Sequence, residues 1–115
     1  MKVRLYIESD LWAFDECYVE AEFFSAPRVG DYVTADWDII KEAIIKADKV
    51  SYYREYLSGD SYEWYSSPIL QKTLPKPTDE QIREELNFEC VGKISSVSWI
   101  VKEGVAYCRA WVGEM

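Results

Sequence analysis

SVSWIVKEGVAYCRAWV, residues 96–112, decides the fold. Val97, Trp99 and Val101 alternate with Ser96, Ser98 and Ile100; after the turn residues Lys102, Glu103 and Gly104, Val105, Tyr107, Arg109 and Trp111 alternate with Ala106, Cys108, Ala110 and Val112. Two period-two runs around a Gly-containing turn predict an antiparallel β-hairpin. Trp99 is expected in the core, and Trp111 with it if its face is covered. The run from Phe88 to Ile94 reads as a further strand, with Gly92 marking a bend or a bulge.

The same alternation opens the chain. Val3, Leu5 and Ile7 share one face and Lys2, Arg4, Tyr6 and Glu8 the other, while Cys17, Val19, Ala21 and Phe23 alternate with Tyr18, Glu20, Glu22 and Phe24. Paired antiparallel, these strands set Arg4 and Lys2 opposite Glu20 and Glu22, a ladder of surface charges worth a few tenths of a kcal/mol per pair. The link SDLWAFDE, residues 9–16, exceeds a tight turn, and its Trp12 and Phe14 are expected to fold over one end of the sheet. Pro27, Gly30 and Asp31 then make a turn, of the kind that enters strands in small β-barrels, into Tyr32, Val33 and Thr34.

From Asp36 the period becomes helical. Ile40, Ala43, Ile44, Ala47 and Val50 recur at three- and four-residue spacing, with Asp36 as cap and Asp38 in the first turn. A long helix to Ser58, stopped by Gly59, is preferred over one that ends near Ala47 and passes into a strand KVSYYREYL. Residues 58–77 read as a loop rich in Ser and Pro. Thr78 followed by Gln81 forms a capping-box signature for a short second helix with Ile82 and Leu86 as its apolar stripe. The expectation is a single α+β domain over residues 1–115. Its strongly bent antiparallel sheet or small open β-barrel has a central helix and a second short helix inserted between N- and C-terminal strands.

A chain of 115 residues buries a core without metal or disulfide staples, and no cofactor is expected. No apolar run reaches the roughly 20 residues of a membrane span, and MKVRLYIESD reads as a strand rather than a signal peptide. Cys17, Cys90 and Cys108 are odd in number and widely spaced, which favours buried reduced thiols in a cytosolic protein. The net charge is −8, and residues 1–38 hold nine acids against three bases. Such a surface repels a phosphate backbone, so direct nucleic-acid binding is disfavoured. Without histidine there is no Ser-His-Asp or Cys-His system, and no Walker, GxGxxG or GxSxG motif occurs. Asp31, Asp36 and Asp38 lack the bracketing Gly and distal Glu of a calcium loop, so helix capping explains them more simply.

Aromatic residues make up 16% of the chain. Most are expected to fill the curved core, but YEWY, residues 62–65, sits beside a turn where alternate side chains cannot all point inward. Tyr62, Trp64 and Tyr65, together with Glu20 and Glu22, are therefore the candidate partner-binding residues. The leading expectation is a non-enzymatic protein-interaction domain whose aromatic loop and acidic first third meet another protein. The alternatives are an acidic inhibitor, of the immunity-protein or nucleic-acid-mimic kind, occupying a basic site on an enzyme, and a small cofactor-free enzyme using carboxylates.

Overall fold

A computed structural model describes residues 1–9, 17–88 and 91–114, the side chains of Val91 and Glu114 excepted. The expectations for Trp12, Phe14 and Cys90 lie outside the described residues. The chain is α+β: β1 (Lys2–Ile7), β2 (Val19–Glu22), α1 (Asp38–Lys46), a 3-10 segment (Val50–Tyr56), α2 (Gly59–Ser66), α3 (Pro68–Thr73), α4 (Asp79–Glu85), β3 (Val91–Lys102) and β4 (Val105–Glu114). The four strands form one open sheet in the order β2-β1-β4-β3. No described helix is long and apolar enough to cross a membrane.

The sheet is mixed rather than antiparallel. β1 pairs antiparallel with β2 but parallel with β4, from Val3 beside Cys108 to Ile7 beside Val112. A parallel neighbour requires a crossover connection, and the helical residues between β2 and β3 supply one. β1 is consequently buried on both faces, Arg4 and Tyr6 as well as Val3, Leu5 and Ile7, and is not the half-wet strand its alternation suggests. On the face away from the helices, the Arg4 guanidinium lies 4.5 Å from the Tyr18 ring centre and 4.2 Å from that of Tyr107, while Tyr6 stacks on Trp111 at 4.8 Å. Cation–π contact and stacking make this face a second packed layer.

On the other face Ile40 and Ile44 of α1, Tyr53 and Tyr56, Ile82, Leu86 and Phe88 pack over Val3, Leu5, Ile7, Cys108, Ala110 and Val112. Tyr53 and Tyr56 donate their hydroxyls to the carbonyls of Ile7 and Glu8, each at 3.4 Å, which fastens the 3-10 segment to the end of β1.

α1 stops well short of Ser58. Asp48 adopts φ +55°, its N–H donates to the Ile45 carbonyl and that of Lys49 to the Ile44 carbonyl, a Schellman termination with aspartate where glycine is usual. The residues beyond it form neither more α-helix nor a strand but the 3-10 segment, and Gly59 opens α2 instead of closing α1. Asp36 accepts the Asp38 N–H at 3.0 Å, so it serves the first turn of α1 as expected, although Trp37 holds the cap position itself. Residues 58–77, expected as loop, hold α2 and α3. Ser67 Oγ accepts the Leu70 N–H with Pro68 in the first turn of α3, and Thr78 caps α4 by accepting from Gln81.

Candidate interaction surface

β3 has 12 residues and β4 has 10, but β1 lies beside β4 only from Cys108 to Val112. Past that limit the hairpin continues as two strands. Its turn places Glu103 at φ +53° and Gly104 at φ +78°, the geometry of a two-residue type I′ loop that matches the strand twist. On this arm Trp99 is 54% exposed, Val101 72% and Val105 49%. Trp99 thus leaves the core to which its alternation assigned it. Its face of the hairpin is the core face nearer β1, but out on the arm its ring is left more than half exposed.

The ladder determines what the outer edge of β3 offers. Lys102 and Val105 close the two-residue loop and share ladder hydrogen bonds, so bonding pairs recur at Ile100–Tyr107 and Ser98–Arg109. The N–H and C=O groups of Val97, Trp99 and Val101 therefore point away from β4. The register shifts of β3 put one extra residue at Gly92, as expected, and another at Ser95. The second bulge turns Ile94 outward too, and there the edge is occupied: Ile94 donates to the Asp31 carbonyl and accepts from the Gly30 N–H, each at 2.8 Å. The turn after Pro27 is built for this contact, with Asp31 accepting the Arg28 N–H at 2.8 Å and Tyr32 bridging to Lys93. Between that bridge and the hairpin tip, no described residue pairs with β3 on this side.

The residues singled out from sequence do not form one surface. Tyr62, Trp64 and Tyr65 lie on α2, not on a loop. Tyr65 is buried edge-on to Trp64 at 4.9 Å, and burial pushes its phenol pKa up. Trp64 is half-buried: its Nε1 donates to the Leu74 carbonyl at 3.1 Å and its ring lines a groove of about 380 Å³ with Leu70, Leu74, Pro75 and Pro77. Tyr62 alone of the three is exposed. Glu20 and Glu22 sit on the sheet face opposite the helices, in the anticipated register with Arg4 and Lys2. Glu20 meets Lys2 at 3.6 Å and Arg4 at 3.7 Å, and Glu22 meets the N-terminal ammonium at 3.3 Å.

Comparison with protein-family models, curated proteins and solved structures finds no match. The chemistry must be read from the chain itself. A second groove, about 360 Å³, runs past Thr34, Asp36, Trp37, Asp38, Lys41 and Phe88. Its charged groups are engaged locally, Asp36 with the Asp38 N–H and Lys41 with Asp38 and the Arg83 carbonyl. Among the described residues no three His, Cys, Asp or Glu side chains gather to hold a metal ion. What sequence reasoning missed is the overhang of the arm. The signal was present in relative length, because a hairpin twice as long as β1 cannot be covered along its whole extent.

Proposed function

We propose that the chain is a non-enzymatic protein-interaction domain that takes up a partner strand along the free edge of β3. One observation carries the reading: Val97, Trp99 and Val101 direct outward backbone donors and acceptors that no described residue pairs with, on an arm whose Trp99 and Val101 side chains are exposed. Strand addition draws its affinity from such backbone groups and its specificity from the alternate side chains, and Trp is a favoured interface anchor. The acidic-inhibitor alternative asks for carboxylates displayed together. Here Glu20 and Glu22 are matched by Lys2, Arg4 and the N-terminus, and Asp31 and Asp36 serve turns. The buried free thiol of Cys108 supports a reducing, cytosolic setting.

The test is affinity capture with the wild-type chain and Val101→Pro side by side, at low and high salt. Proline at 101 removes a donor that the β3–β4 ladder does not use. Loss of a partner with Val101→Pro, and little effect of salt on the wild type, is expected. Equal recovery with both chains refutes the reading.

A further inference from the structure

The strand that this edge accepts has a specific identity: we infer that it is β3 of a second copy, paired antiparallel about a two-fold axis through Trp99. The inference rests on β3 being a pairing edge, and deepens that reading by naming the partner. The outward residues read Val97, Trp99, Val101, a sequence symmetric about its centre. Under two-fold pairing Val97 meets Val101 of the second copy, Trp99 meets its counterpart, and Val101 meets Val97. Every outward N–H and C=O of the three residues then finds an opposite group in register, the self-complementarity that an isologous contact demands.

The limits of the free edge fit the same pairing. At one end the Gly30–Val33 segment occupies Ile94 and Gly92, and at the other the loop at Glu103 and Gly104 ends the strand. A centre at Trp99 puts the second copy's Lys102 opposite Ser96, so its strand ends before it would collide with the Gly30–Val33 segment. A longer foreign strand in this register would not stop there. Charge favours the arrangement as well. Each chain carries −8, yet Val91 through Lys102 contains no carboxylate and two lysines, so the pairing strands themselves bring no acid against another. Pairing also turns two separate two-stranded arms, each marginal by itself, into a single four-stranded one with both Trp99 rings on the same face.

Sedimentation of the purified chain between about 1 and 100 μM tests this, beside Val101→Pro and Val101→Lys. The wild type is expected to form a dimer, with both variants raising its dissociation constant by about tenfold or more, since each lesion acts twice per dimer. Val101 is exposed, so Val101→Lys leaves the monomer folded and decides the matter if the proline variant does not fold, as read by circular dichroism. Amide exchange adds a signature that hydrophobic clustering would not produce: protection rising with concentration at Val97, Trp99 and Val101, but not at Ser98 and Ile100. A wild type that stays monomeric at the top concentration overturns the inference, as does a dimer that neither variant weakens or a uniform change in exchange along β3. A monomer whose capture of another protein is nevertheless lost with Val101→Pro overturns the self-pairing alone and leaves the strand-addition reading in place.

Discussion

Glu85 supplies the N-terminal cap that α2 does not make for itself. Ser58, at the cap position, makes no side-chain bond to the α2 backbone; instead Glu85, from the last turn of α4, accepts the Ser61 N–H at 3.0 Å. The Ser61 hydroxyl and N–H beside it, with Gln81 and the Asp60 N–H, hold the Glu85 carboxyl below the usual carboxylate range, while burial opposes them. Helix caps are worth about 1–2 kcal/mol, and a charged acceptor places this one toward the upper part of that range. Glu85→Ala is therefore expected to cost about 1.5 kcal/mol at pH 7 by urea denaturation, and Glu85→Gln, which keeps an acceptor but loses the charge, about half as much. Because the folded pKa is depressed, the ionic contribution is fully present above the unfolded value, near pH 4.3, and disappears as pH falls through the folded value. The gap between wild type and Glu85→Gln should thus narrow as the pH falls below the unfolded carboxylate value and vanish once the folded carboxyl is protonated. An unchanged stability for Glu85→Ala, or a gap to Glu85→Gln that stays constant on acidification, refutes the argument.

Gly59→Ala should be at least as damaging as Glu85→Ala in the same assay, because Gly59 sits at φ +59° and a Cβ there would come within 2.8 Å of Glu85 Oε1. Asp48→Asn should shift stability by no more than about 0.5 kcal/mol despite the 2.7 Å contact of Asp48 with Lys76, since both side chains are half or more exposed; a loss several times larger would mean that the pair fastens the α1 terminus. In native protein the Cys108 thiol, buried and raised in pKa by that burial, should resist a thiol-specific reagent that labels it at once in urea. Trp64→Phe, which retains a ring but removes the Nε1 bond to Leu74, should cost about 1 kcal/mol and speed exchange of the amides in α3 more than those in α1.

Features encoded by adjacent residues were legible in the sequence. Period-two runs identified β1, β2 and the terminal hairpin, and opposite charges placed Arg4 against Glu20 in the observed register. Thr78 announced α4 because a cap is a local hydrogen bond, made as expected to the Gln81 N–H. The end of α1 was not legible, since Asp48 performs the left-handed termination usually left to glycine and Gly59 offered a more conventional stop eleven residues later. α2 and α3 escaped notice because their apolar stripes are thin. They persist through tertiary partners, Glu85 at the start of α2 and Gln71 Nε2 donating to the Trp64 and Tyr65 carbonyls at its end. Of the candidate site, α2 kept one exposed aromatic, Tyr62, while Trp64 and Tyr65 were turned inward by a helix that the Ser-rich composition concealed.

The parallel contact of β1 with β4 links the missed topology to the missed site. Had β1 paired with β3 instead, β4 would have been the edge strand of the hairpin. With β4 inside, β3 becomes an edge, and Trp99 and Val101 in its distal half are exposed. The opposite edge shows how a strand is kept from pairing: β2 is four residues long and carries Glu20 and Glu22. β3 has neither protection between Ser96 and Val101, where no charge and no proline occurs. A chain with −8 of net charge and a guarded β2 has means to suppress edge pairing, yet does not apply them where Trp99 and Val101 are displayed. That asymmetry between two edges of one sheet supports the proposal of strand addition at β3 over an incidental patch of exposed apolar side chains.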